Sequence, residues 1–95
     1  MTITIQIPTA LRIYADHQNE VEVEAATVGQ AMDTLTADHP KLRGHLFNDT
    51  DTLRSFVNLY VNEEDIRYLE KSETKLQDGD VITIVPAVAG GQRKP

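Results

Sequence analysis

Three isoleucines, Ile3, Ile5 and Ile7, alternate with Thr2, Thr4 and Gln6 at the amino-terminal end of the chain. A period of two puts every second side chain on one side of an extended backbone, so the pattern predicts a strand with one buried face. Pro8 has no amide proton for a ladder and ends it. A connection through Leu11, Ile13 and Tyr14 leads to a second alternating run, Glu20-Val-Glu-Val-Glu24. It reads as a strand with Val21 and Val23 inward and its carboxylates toward water, closing a hairpin with a fairly long loop.

The period then changes. Val28, Ala31, Met32 and Leu35 recur at the spacing of one helix face, and Thr27 stands where a hydroxyl can cap the first turn. His39-Pro40 is expected to end that helix, because proline disfavours the α conformation in the residue before it. Residues 41–53 carry Gly44 and a polar cluster, and read as an irregular crossing anchored by Leu42, Leu46 and Phe47. Strand preference returns at Ser55-Phe-Val-Asn-Leu-Tyr-Val61; Asn62 to Asp65 reads as a turn and Ile66 to Leu69 as a short strand. Gln77-Asp-Gly-Asp80 predicts a tight turn with Gly79 at positive φ. In the last strand, Val81 to Val85, Ile82 and Ile84 face the core while Val81, Thr83 and Val85 face out. The order β-β-α-β-β-β is an α+β pattern: a mixed sheet of four to five strands with one main helix packed on one face. With the first and last strands parallel in the middle of the sheet, it is a β-grasp, the ubiquitin-like fold.

Ninety-five residues make one domain, here residues 1–85, followed by a distinct carboxyl-terminal segment. A net charge of −6 argues against nucleic-acid phosphates and anionic membrane surfaces, and favours basic protein surfaces. With no cysteine, disulfides, thiolate nucleophiles and cysteine-ligated metals are excluded. The alternating start is unlike a signal peptide and no apolar run is long enough to span a membrane, so a cytoplasmic location is expected.

Beyond Val85 the chain reads Pro86-Ala-Val-Ala-Gly-Gly-Gln-Arg-Lys-Pro95. Proline blocks the next ladder bond, and small residues offer nothing to a core. The expected arm, 86–91, reaches on the order of 20 Å from Val85 to Gly91 when extended. Two readings fit. One is a frayed terminus. The other is a backbone almost free of side chains that threads a narrow channel into another protein's active site, where its own carboxylate reacts.

Four segments carry a resemblance: Ile7-Pro-Thr-Ala-Leu-Arg12, Phe56-Val-Asn-Leu-Tyr-Val-Asn-Glu-Glu-Asp-Ile-Arg67, Asp78-Gly-Asp80 and Ile84-Val-Pro-Ala-Val-Ala-Gly-Gly91. In this order and spacing the chain resembles the MoaD/ThiS family of ubiquitin-like sulfur carriers, and within it the CysO-type carriers that feed cysteine biosynthesis. The resemblance implies that the Gly91 carboxylate is adenylated with ATP by a ubiquitin-activating-like adenylyltransferase. Sulfide or a persulfide then displaces AMP to leave a thiocarboxylate, and a cysteine-synthase-like enzyme accepts the sulfur. Ala87, Val88, Ala89, Gly90 and Gly91 would enter the partner's site; the carrier would bind no cofactor and bring no catalytic side chain. Sister carriers serve pterin, thiazole and secondary-metabolite routes. One departure is plain: Gln92-Arg-Lys-Pro95 follows the glycines, and an amide-bonded Gly91 cannot form an acyl adenylate. The family's tailed members imply cleavage after Gly91 by a JAMM-type zinc metalloprotease. A chain never trimmed would instead be a binding module, and a ubiquitin-like conjugation to lysines through Gly91 is the remaining alternative.

Val85, Pro86 and Phe56, with Val57 as an equal candidate, are the expected docking patch for the activating enzyme, set against the alternative that Phe56 and Val57 simply cover core. Glu20, Glu22 and Glu24 read as solvated strand surface that can also steer basic partners. His17, His39 and His45 lack metal-ligand spacing and read as surface histidines. Asp49-Thr-Asp51 and Glu63-Glu-Asp65 read as solvated acidic turns, since the calcium-loop spacing is missing.

Overall fold

The computed structural model describes residues 1–49, 53–54, 57–66 and 69–86. Its strands are β1 (Thr2–Gln6), β2 (Glu20–Glu24), β3 (Val57–Val61), β4 (Glu64–Asp65) and β5 (Val81–Pro86); its α-helices are α1 (Val28–Asp38) and α2 (Pro40–Leu46). The sheet order is β2-β1-β5-β3-β4. β1 and β5 run parallel at its centre, Ile5 opposite Ile82, and the other pairings are antiparallel. This is the mixed sheet expected from the pattern.

The alternation works as predicted. Ile3 and Ile5 are fully buried opposite Val23 and Val21, while Glu20, Glu22 and Glu24 are exposed. Ile82 and Ile84 are buried in β5, whereas Val85 is 40% exposed. One face of the sheet therefore meets the helices, and the other is left to solvent. The long connection between β1 and β2 is more ordered than a loop. Thr9–Ala15 forms a 3-10 helix that buries Leu11 and Ala15, and it ends through Asp16 and His17 at φ of 54° and 61°. Ile13 points away from the core at 62% exposure.

Thr27 caps α1 as expected: its hydroxyl accepts from the Gln30 amide at 3.2 Å, and the Gln30 side chain accepts from the Ala26 amide at 2.9 Å. Val28, Ala31, Met32 and Leu35 are buried. Thr36 joins them by donating its hydroxyl proton to the Met32 carbonyl, while it accepts from Arg43 Nη1 at 3.2 Å.

Two expectations are corrected. Residues 41–46 are not an irregular crossing, because α2 begins at Pro40 directly after α1. His39, at φ −131°, turns the chain, and Pro40 occupies the first helical position, where a missing amide proton breaks no bond. Leu42 and Leu46, one turn apart, are both fully buried. Proline thus ends one helix and opens the next, and the apolar pair decides that there is a next one.

The short strand lies at Glu64–Asp65, ahead of Ile66 to Leu69. Asn62 and Glu63 take φ of 49° and 76°, the left-handed pair of a two-residue hairpin turn. Such a turn matches the twist of the flanking strands, so pairing resumes at once, with Glu64 opposite Val61 and Asp65 opposite Tyr60. Ile66 then enters the core from non-strand backbone, and Leu69 donates to its carbonyl at 3.0 Å. Ser55, Phe56, Arg67 and Tyr68 lie outside the described residues.

Gly79 sits in its turn at φ 89° and donates to the Thr2 carbonyl at 2.9 Å. Asp80 ties this turn to the hairpin: its Oδ2 accepts from the Gln77 amide and its Oδ1 from Asn62 Nδ2, both at 2.8 Å. Asn62 Oδ1 in turn accepts from the Val81 amide at 3.0 Å. The start of the last strand is held from both sides.

Candidate functional site at the end of the last strand

β5 carries the chain out of the fold, so the site is built from the strands beside its end. Val85 stands outward opposite Asn58, as the alternation predicts. Pro86 pairs opposite Val57, so the strand runs one residue further than expected, with proline at its last position. Val57, a candidate for the docking patch, is only 6% exposed and belongs to the core. It lies on the same side of β3 as Leu59 and Val61, which face the helices. Phe56, Ala87, Val88, Ala89, Gly90 and Gly91, and the extension 92–95, lie outside the described residues. Of the expected docking group the structure therefore places Val85 and Pro86.

Around them the open face is polar with a few apolar positions. Thr83 lies between Tyr60 and Gln6 in the sheet register and donates its hydroxyl proton to Gln6 Oε1 at 3.0 Å. Further across, Glu20 pairs with Gln6 and Glu22 with Thr4, extending a row of exposed carboxylates. Glu24 Oε2 accepts from the Thr2 hydroxyl at 2.7 Å and Glu24 Oε1 lies 3.1 Å from the Met1 ammonium; the first contact, then the second, holds its carboxyl below the usual carboxylate range.

At the same end of the sheet a cleft of about 320 Å³ opens between the 3-10 helix, β1, β2 and β5, with Arg12, Asn19, Glu20 and Ile84 in its lining. Arg12 is half-buried there and its Nε donates to the Ile7 carbonyl at 3.0 Å. Sequence reasoning placed Arg12 within a motif but gave it no position. Only the 3-10 fold of residues 9–15 brings it back against the end of β1, and periodicity carries no signal for that.

The remaining candidates take simple places. His45 stacks on Tyr14 with ring centroids 4.1 Å apart, and His39 Nδ1 lies 3.8 Å from Asp16 Oδ2. Among the described residues no three His, Cys, Asp or Glu side chains come together as a metal site. Asp65 is 7% exposed, so Glu63 to Asp65 is not the wholly solvated turn expected. Thr50 and Asp51 lie outside the described residues. No helix among the described residues is long and apolar enough to cross a membrane.

Comparison with known proteins agrees with this geometry. The ThiS family model matches residues 5–91. The sulfur carrier protein CysO of Mycobacterium tuberculosis is 39% identical over 93 residues, which cover 96% of this chain and 100% of that protein. Small archaeal modifier protein 3 of Haloferax volcanii is 36% identical over 66 residues, covering 70% of this chain and 71% of that protein. In the solved Amycolatopsis orientalis BexX/CysO complex, the matching chain superposes with a TM-score of 0.85 at 39% identity, covering 94% of this chain and 99% of that one. The chain is a ubiquitin-like β-grasp protein and belongs to the ThiS family, the MoaD/ThiS group of sulfur carriers.

Proposed function

We propose that this protein is a CysO-type sulfur carrier, a cosubstrate with no catalytic side chains, whose reacting group is the Gly91 carboxylate after removal of residues 92–95. The observation that carries the reading is the extent of the family match, which ends on Gly91, the second glycine of the pair, and leaves Gln92-Arg-Lys-Pro95 beyond it. The fold supports it: β5 leaves from the centre of the sheet with Val85 exposed at the exit, so a partner that takes in the following residues meets this end of the molecule.

A carboxylate is a poor acyl donor at neutral pH. In the proposed chemistry a Gly91 oxygen attacks the α-phosphorus of ATP on a ubiquitin-activating-like adenylyltransferase, and pyrophosphate leaves. Sulfide then attacks the acyl carbon, the acyl–oxygen bond to AMP breaks, and a thiocarboxylate remains. A persulfide serves equally when a thiol cleaves the S–S bond left behind. Two easier steps replace one difficult one. A JAMM-type metalloprotease would supply the free carboxylate by hydrolysing the Gly91–Gln92 amide. A cysteine-synthase-like enzyme would accept the sulfur; pterin, thiazole and secondary-metabolite precursors are the other acceptor classes.

A second reading is favoured by the likeness to small archaeal modifier protein 3: the same freed carboxylate could be joined to lysines of other proteins. ATP–pyrophosphate exchange on the activating enzyme tests what the two readings share. The chain ending at Gly91 should support exchange and the chain ending at Pro95 should not; equal behaviour of the two would contradict the proposal. Added sulfide separates them, because only a carrier converts it into a thiocarboxylate without a protein acceptor.

A further inference from the structure

We propose that Arg12 is a docking residue that receives a carboxylate side chain of the activating enzyme at the root of the chain's exit. The idea rests on the sulfur-carrier reading and adds to it a contact with stated chemistry. Arg12 Nε is occupied by the Ile7 carbonyl at 3.0 Å, which fixes the plane of the guanidinium. Among the described residues its terminal nitrogens have no hydrogen-bond or ion-pair partner. Arg12 lines the cleft of about 320 Å³ together with Gln6, Pro8, Asn19, Glu20 and Ile84. Ile84 is two residues before Pro86, so a protein that takes in the following residues covers this cleft.

The chemistry of the occupant follows from charge and shape. A guanidinium held by Nε presents its remaining donors as a fork that fits a carboxylate in bidentate fashion. Partial burial beneath a docked partner strengthens such a pair relative to one at a wet rim. The neighbouring open face is acidic, with Glu20, Glu22 and Glu24 exposed. Arg12 is thus a positive point beside a negative row, and a partner with a carboxylate facing Arg12 and basic groups facing the row has one favourable orientation. The nucleotide phosphates are a poorer occupant. In the proposed chemistry they lie at the Gly91 carboxylate, and a chain taken up in extended form from Val85 would carry that atom on the order of 20 Å away. Arg12 therefore acts on binding, not on the acyl-transfer step.

The test compares Arg12→Glu, Arg12→Ala and Arg12→Lys in the chain ending at Gly91, with pyrophosphate exchange measured against carrier concentration. We expect KM to rise at least tenfold for R12E and less for R12A, with kcat unchanged and the R12E defect shrinking at high salt. R12K should recover part of the affinity, since it restores charge without the fork. Thermal unfolding of each variant checks the Ile7 contact. A KM unmoved in R12E, or kcat and stability falling together, would overturn the docking assignment. No exchange by the unsubstituted Gly91-ended chain would overturn the carrier reading itself and this contact with it.

Discussion

Leu42 shows how much of this fold rests on single side chains. It is fully buried, and its neighbour one turn on, Leu46, is buried with it. Leu42→Ala should cost about 2–5 kcal/mol of unfolding free energy, the usual range for a cavity-forming truncation, and urea unfolding measures it directly. A surface-like value would mean that α2 is not packed on the core as described. Glu24 provides a test of opposite character, at the water's edge. Its carboxyl lies below the usual 4.5 because the Thr2 hydroxyl and the terminal ammonium favour the ionised form. A depressed folded value means a contribution present above pH 4.5 and lost as pH falls through the folded value. Melting curves should therefore separate the parent from Glu24→Gln at neutral pH and converge in acid. A gap that widens in acid would contradict the pairing.

At the scale of elements, the legible parts of the sequence were those in which one face is buried and periodicity is enforced. β1, β2, α1 and β5 are of this kind, and their inward residues were readable because a shift of one position would turn each face outward. Two elements were not. α2 is only seven residues long, and Pro40 carries opposite meanings: it ends a helix before it and opens one at it. The strand β4 was displaced because Asn62-Glu63 does not contain the glycine that marks a mirror-image turn, although both residues adopt positive φ. The same fact makes a prediction. Glu63, at φ 76°, holds a conformation that is unfavourable for a residue with a Cβ. Glu63→Gly should stabilise the protein by up to about 1 kcal/mol, a rise in melting temperature of several degrees for a domain of this size. A fall would show that the turn is held for another reason.

For the molecule as a whole, the proposed function makes the chain's own terminus the reacting group. The parallel β1–β5 pair at the sheet's centre sends the chain out past Val85, and the glycine pair follows within a few residues. The exit of the last strand was legible from its alternation, whereas the glycine pair is read from the sequence alone and lies outside the described residues. The Arg12 cleft was not, since it is assembled from the 3-10 helix, the adjoining ends of β1 and β2, and β5 from the far end of the chain. The acidic row on β2 also belongs to this scale: its carboxylates suit a basic partner surface and should make association weaken with salt.

The central claim is that the polypeptide is trimmed to Gly91 and loaded there with sulfur. An intact-mass spectrum of the protein purified from its own cells under non-reducing conditions tests it most directly. The account predicts a chain ending at Gly91, part of it heavier by the difference between one sulfur and one oxygen atom. Protein found only at full length, with Gln92 to Pro95 still attached and no such mass difference, would contradict it.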